Sequence, residues 1–180
     1  STDGTLFLLK KQAEVYSNIK IVSLTRNFGH QAAIAAGLEH AKGDAVITMA
    51  SDLQDPPELI HTFIQKWEEG YKIVVGIKPK SKESIIMFFV RKIFYNLIKN
   101  ISEISQIKNF TGFGLYDKSF INILKKLDEP YPYFRGLVSE LGYKITEIEF
   151  IQPERNAGKT NNNFYTLYDL AMLGFISYSK

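Results

Sequence analysis

Apolar positions recur along this chain with two periods that alternate. Leu6, Leu9 and Ala13 share one face of a helical repeat over Thr5 to Tyr16, and Ile19 to Leu24 follows as a short β-branched run that predicts a strand. Gly29 to Lys42 is Ala-rich and predicts a helix ended by Gly43, and Ala45 to Met49 predicts a second, buried strand. Asp55-Pro56-Pro57 opens a helix, its prolines placed early, where a missing N–H costs little. That helix carries Leu59, Ile60, Phe63, Ile64 and Trp67 and stops at Gly70, and Lys72 to Ile77 predicts a third strand. Strands alternating with helices predict an α/β fold with a mainly parallel sheet and helices on both faces. Ligands of such sheets gather at the carboxyl ends of the strands, which directs attention to Thr25 to His30 and Ala50 to Asp55.

The second half reads differently. Ser84 to Asn100 predicts an apolar helix with a basic side, Phe110 to Tyr116 a strand, and Lys118 to Leu127 and Tyr133 to Leu141 two helices. Lys144 to Ile151 alternates, with Thr146, Ile148 and Phe150 facing one way and Glu147 and Glu149 the other. Gln152 to Asn163 is a polar loop, and the run from Phe164 places Leu167, Ala171 and Phe175 at helical spacing. No internal repeat interrupts the 180 residues, which suit a single domain, residues 1–180. Both ends read as cut, with sequence expected to extend beyond them.

Composition narrows the function classes. A formal net charge of +3 is too weak to point to nucleic acid. The absence of Cys excludes a disulfide framework, a thiolate zinc site and a cysteine nucleophile. No signal peptide and no apolar run long enough to span a bilayer are present. Basic residues concentrate at Lys78, Lys80, Lys82, Arg91, Lys92 and Lys99. Within Ser84–Asn100, Arg91, Lys92, Tyr95, Asn96 and Lys99 share one side, and Val90, Ile93, Phe94, Leu97 and Ile98 the other. Such a helix either packs on its own core or lies on anionic lipid, and the apolar block Ile85 to Phe89 favours the membrane surface.

Three segments carry candidate chemistry. In Met49 to Glu58, Asp52 and Gln54 lie two residues apart and point the same way in extended chain. Their oxygens suit a hard cation such as Mg²⁺ or Mn²⁺, whereas Asp55 reads as the cap of the helix that begins at the prolines. In Thr25 to Gln31, a strand end, a glycine and a helix start make an anion site to which Arg26 adds charge. His30 there reads equally as a ligand-facing residue and as a packed or capping one. Glu154 to Thr160 reads on its own as a basic surface loop.

In this order and spacing, five segments resemble the polyprenyl-phosphate branch of family 2 glycosyltransferases. They are Ser1 to Thr5, Arg26 to Ala33, Asp52 to Glu58, Phe134 to Val138 and Arg155 to Thr160. The resemblance implies a Rossmann-like fold called GT-A and a nucleotide-diphospho-sugar donor, UDP- or GDP-linked. It also implies a divalent metal, Mg²⁺ or Mn²⁺, and a polyprenyl-phosphate or related glycan acceptor at the cytoplasmic face of a membrane. By the same resemblance Asp52 and Gln54 are metal ligands, and Asp52 and Arg135 are catalytic. Asp3, Arg26, Asn27, Gly29, His30, Ser51, Arg155, Lys159 and Thr160 contact substrate. The loop at Arg155 to Thr160 becomes a lid, Ser84–Asn100 an interfacial helix, and transmembrane helices are expected to follow.

Three departures from the family pattern stand out. The first strand and the opening acidic pair of the base-binding loop are missing, and Ala50 stands where the metal motif usually begins with Asp. Asn109 to Tyr116 lacks the carboxylate that many relatives carry before Phe113. An ionised phosphate acceptor needs no general base, whereas a sugar hydroxyl does. These departures motivate an alternative, a non-catalytic relative that binds nucleotide-sugar or membrane within a glycan-assembly complex. An NAD-dependent oxidoreductase ranks far below, for want of a Gly-x-Gly-x-x-Gly loop.

Overall fold

A computed structural model describes residues 4–78, 107, 109–127, 134–153 and 172. In chain order the elements are α1 (Thr5–Val15), α2 (His30–His40), β1 (Ala45–Thr48), α3 (Leu59–Glu68), β2 (Ile73–Ile77), β3 (Phe110–Asp117), α4 (Lys118–Leu127), α5 (Phe134–Glu140) and β4 (Ile145–Glu149). The expected helix at Ser84–Asn100, the loop beyond Pro153 and the helical run from Phe164 lie outside the described residues, Met172 apart.

The strands order as β1-β3-β2-β4. β2 and β4 pair in parallel, while β3 runs antiparallel to both β1 and β2. Thus β1, β2 and β4 share one direction and β3 is reversed between two of them. The sheet is mixed by ladder although mainly parallel by strand direction. Ile19 to Leu24, expected as a strand, forms none: β1 pairs only with β3 among the described residues, and a β-branched run without a partner builds no ladder.

Residues alternate across this sheet as its pleat requires. Ile73, Val75, Phe110 and Tyr116 pack on one face with Leu38 of α2, Phe120 and Ile121 of α4, and Phe134 and Val138 of α5. Val74, Phe113, Leu115 and Phe150 pack on the other with Phe63 of α3. Helices therefore cover both faces. Phe63 and Phe113 lie 4.7 Å apart by ring centroid, and Phe150 meets Phe113 edge-on at 5.7 Å.

Several boundaries shift from the expected ones. α2 ends at His40, not near Gly43, because Ala41 turns extended and its N–H folds back to Leu38. β1 is half-buried and stops at Thr48. α3 begins at Leu59, after a turn in which Leu59 and Ile60 donate to Pro56 and Pro57. It closes as expected at Gly70, whose φ of +95° is one that glycine adopts without a Cβ clash. Leu9, on the apolar face that it shares with Leu6 and Ala13 in α1, is 42% exposed.

Gly114 marks the tightest packing of the sheet. A Cβ there would lie 2.6 Å from the Val74 carbonyl oxygen, a backbone atom that cannot rotate away. Gly114→Ala is expected to lower the unfolding free energy by about 2 kcal/mol, read from the urea midpoint. An unchanged midpoint would mean that β2 and β3 separate freely at this point.

Candidate functional site

The carboxyl ends of β1, β2 and β4 and the start of the reversed β3 meet at one end of the sheet. Each contributes chain that leaves the ladder there: Met49 to Asp55 after β1, Lys78 after β2, Gln152 and Pro153 after β4, and Thr111 and Gly112 as β3 enters. The N-terminus of α2 arrives at the same place. A cavity of about 330 Å³ opens between them, lined in part by His30, Thr48, Ala50, Asp55, Thr111 and Gly112.

Gly112 shapes the β3 wall. Its backbone has φ +99°, and its carbonyl oxygen accepts from the Thr48 hydroxyl and, at 3.2 Å, from the Tyr116 hydroxyl. Asn109 to Tyr116 carries no carboxylate, so this wall offers hydroxyl and main-chain groups.

On the β1 side, Asp52 and Gln54 are half-buried. Asp52 Oδ1 accepts the Gln54 N–H at 3.2 Å, a local turn in which the carboxylate holds its own backbone. Gln54 Nε2 reaches Pro153 O at 3.5 Å, and Lys78 Nζ donates to Gln152 Oε1 at 2.6 Å. The chain after β4 is therefore anchored beside Asp52 before it passes into the stretch that holds Arg155, Lys159 and Thr160.

Asp55 does not cap α3. The residue preceding that helix is Glu58, without a side-chain cap bond, and Asp55 Oδ2 instead accepts the Ala50 N–H at 2.8 Å. A buried carboxylate turns inward because one backbone donor inside compensates part of its lost hydration. Burial raises the Asp55 pKa above its ordinary value. The Ala50 hydrogen bond opposes that shift, the charge of Asp52 adds to it, and Lys78 and His30 oppose it.

The α2 side is more open. Asn27 Oδ1 accepts the Gly29 N–H at 2.9 Å, and the Arg26 guanidinium lies 4.4 Å from the Phe28 ring centroid. His30 is exposed as the first residue of α2, so it is not a packed histidine.

The sequence-derived residues Asn27, Gly29, His30, Ser51, Asp52 and Gln54 thus fall on the two loops at this end of the sheet, with His30 on the cavity wall. Arg26 is on the same loop but stacks on Phe28. Arg135 falls in α5, its side chain outside the description, and Asp3, Arg155, Lys159 and Thr160 lie outside the described residues. Among the described residues, no group of three or more His, Asp or Glu could hold a metal. Sequence reasoning missed the inward role of Asp55, because its partner is a main-chain N–H that no residue pattern displays. It also missed the Thr48–Gly112 contact, which depends on the reversed strand.

A model of the family described as "Glycosyl transferase family 2" matches residues 1–129. An uncharacterized glycosyltransferase of Bacillus subtilis, YkcC, is 37% identical over 99% of this chain and 56% of its own length. One from Synechocystis is 39% identical over 99% of this chain and 57% of its own. A prophage bactoprenol glucosyl transferase homolog of Escherichia coli is 33% identical over 99% and 59%. The chain therefore spans somewhat more than half the length of these curated relatives.

Proposed function

We propose, from the premise that this chain belongs to glycosyl transferase family 2, that the full-length protein transfers a sugar from a UDP- or GDP-sugar to a polyprenyl phosphate. The family carries the Rossmann-like GT-A fold, with which the described α/β sheet agrees. The observation that carries the reading is the cavity at the carboxyl ends of β1, β2 and β4, with Asp52 on the loop beside it. The name of the bactoprenol glucosyl transferase homolog supports a polyprenyl acceptor.

The reaction follows from the charges. An oxygen of the acceptor phosphate forms a bond to the anomeric carbon as the bond to the nucleoside diphosphate breaks, and the electron pair leaves with the diphosphate. That acceptor is ionised at neutral pH, so the absence of a carboxylate from Asn109 to Tyr116 is compatible with turnover. Asp52, with Gln54 two residues on, fits a hard cation shared with substrate phosphates and water; it does not make an all-protein cage. When bound, Mg²⁺ or Mn²⁺ supplies charge neutralisation for the leaving diphosphate. Arg26, Asn27, Gly29, His30 and Ser51 are the donor-side contacts on the two loops. Arg135, Asp3, Arg155, Lys159 and Thr160 take the phosphate- and donor-binding roles that the family resemblance implies.

In this reading the protein works at the cytoplasmic face of a membrane, with Ser84–Asn100 as its lipid-facing helix. Among the described residues no helix is long and apolar enough to cross a bilayer. Calorimetric titration of the full-length protein with UDP and with GDP, each with and without Mn²⁺, tests the donor site. Binding of one nucleotide that strengthens with Mn²⁺ is the expected result, and no binding of either overturns the proposal. Ala50 favours a second reading, a non-catalytic nucleotide-sugar-binding relative. That reading predicts nucleotide binding without transfer of labelled sugar to polyprenyl phosphate.

A further inference from the structure

Asp55 is buried at 6% exposure beside the proposed donor site, yet the transfer reaction assigns it no task. The loop around it is conformationally demanding. Leu53 has φ 58°, a left-handed backbone that a Leu side chain disfavours. It is 49% exposed, so packing of its side chain does not hold it there. Such a residue persists where its surroundings over-determine it. Two hydrogen bonds bracket it: Asp52 Oδ1 with the Gln54 N–H inside the loop, and Asp55 Oδ2 with the Ala50 N–H across its ends. The second joins the first and last residues of the turn, and its acceptor is the more deeply buried of the two carboxylates.

We propose that Asp55 is a positioning residue: by accepting the Ala50 N–H it locks the turn from Ala50 to Asp55 in the conformation that presents Asp52 to the donor diphosphate. The two carboxylates of the loop then divide the work. Asp55 is committed to the backbone, and Asp52 is placed toward the ligand. This rests on the reading of the cavity as the donor site. It also explains how the loop keeps its shape with Ala50 at its head, since the position contributes through its N–H and not through a side chain.

The hydrogen bond and the charge of Asp55 are separable. Asp55→Asn keeps an oxygen that accepts from Ala50 and discards the charge, and Asp55→Ala discards both. In the full-length protein, two quantities are read: hydrogen exchange of the amides from Ala50 to Gln54 without nucleotide, and the UDP or GDP concentration that half-saturates binding in Mn²⁺. Asp55→Ala is expected to accelerate exchange at Ala50 and to raise half-saturation about 10-fold, the scale typical of groups that orient a ligand-binding residue. Asp55→Asn is expected to stay within about 3-fold of wild type in both, because the acceptor is kept. A role confined to overall stability would lower the melting temperature of Asp55→Ala without moving half-saturation of the folded fraction.

If Asp55→Asn is as impaired as Asp55→Ala, the charge matters and the proposal is overturned. Unchanged exchange at Ala50 in Asp55→Ala overturns it as well. Should Asp55→Ala fail to fold, Asp55→Glu takes its place, since its carboxylate is displaced by one methylene while its charge is kept; wild-type exchange and binding there would overturn the idea. The exchange measurement needs no nucleotide. Failure of wild-type protein to bind UDP or GDP therefore sinks the donor-site reading, while exchange still reports whether Asp55 holds the turn.

Discussion

Asp52→Asn is expected to lower kcat/KM of the full-length protein about 10²- to 10³-fold while moving its melting temperature by no more than a few degrees. The substitution is nearly isosteric. An Asn oxygen still accepts the Gln54 N–H that Asp52 Oδ1 holds at 3.2 Å, so the turn survives. What disappears is one negative charge on a half-buried side chain beside the cavity. If that charge holds a cation against a leaving diphosphate, its loss weighs most in the transition state, where the diphosphate charge has grown. The measurement is initial-rate kinetics over donor and Mn²⁺ concentrations, paired with a thermal melt. Retention of activity within a few-fold of wild type would remove Asp52 from the reaction. The contrast with Asp55 is sharp: Asn is expected to be tolerated at 55, where an acceptor is needed, and not at 52, where a charge is needed.

The second large effect concerns stability. Asp117 ends β3, is buried at 6% exposure, and gathers four donors. Ser119 gives its N–H at 2.9 Å and its hydroxyl at 2.6 Å, Trp67 Nε1 lies at 2.7 Å, and Lys72 Nζ at 3.0 Å. The carboxylate thereby ties β3, the start of α4, the end of α3 and the chain entering β2 to one point. Burial alone would raise its pKa, but the bonds from Ser119, Trp67 and Lys72 outweigh burial and hold it well below the usual carboxylate range. Asp117→Asn turns an amide N–H₂ toward donors and strands at least one of them. A loss of about 3 kcal/mol is expected at pH 7, equivalent to roughly 10 °C in melting temperature. Because the folded pKa is depressed, the contribution is fully present above the unfolded value near 3.9 and is lost as pH falls through the folded value. The gap between wild type and Asp117→Asn should therefore narrow below about pH 4. A gap that stays constant to pH 2 would show that packing, and not the charged network, is responsible.

The parts of this fold that were legible in the sequence are those fixed by local physics. Lys118 to Leu127 is helical over the range that its apolar spacing marks, and Gly70 stops α3 where a left-handed residue is needed. Lys144 to Ile151 shows its alternation in the burial of Ile148 and Phe150. Strand direction is not local. Phe110 to Tyr116 reads as a strand from its residues, but nothing in them says that it runs against β1 and β2, because direction lives in the ladder. Ile19 to Leu24 fails for the same reason, having strand composition and no ladder partner among the described residues. At the site, the spacing of Asp52 and Gln54 after a strand suggests oxygen chemistry, and the structure places both on the loop after β1, with the metal role left as the proposal. Asp55 was misread because a cap and an inward bond to a main-chain N–H look alike along the chain.

The reversed β3 has a consequence for synthesis. Among the described strands β1 and β2 are made before β3, yet both pair with residues 110–117. Until that stretch is translated and inserted between them, β1 has no ladder partner among the described residues and β2 lacks its central one. During this interval the apolar run Ile73-Val74-Val75, fully buried in the folded protein, stays open to other nascent chains. Both strands thus wait for partners made later, β2 for β4 as well as β3, and the stretch from β1 to β2 is open to holdase chaperones meanwhile.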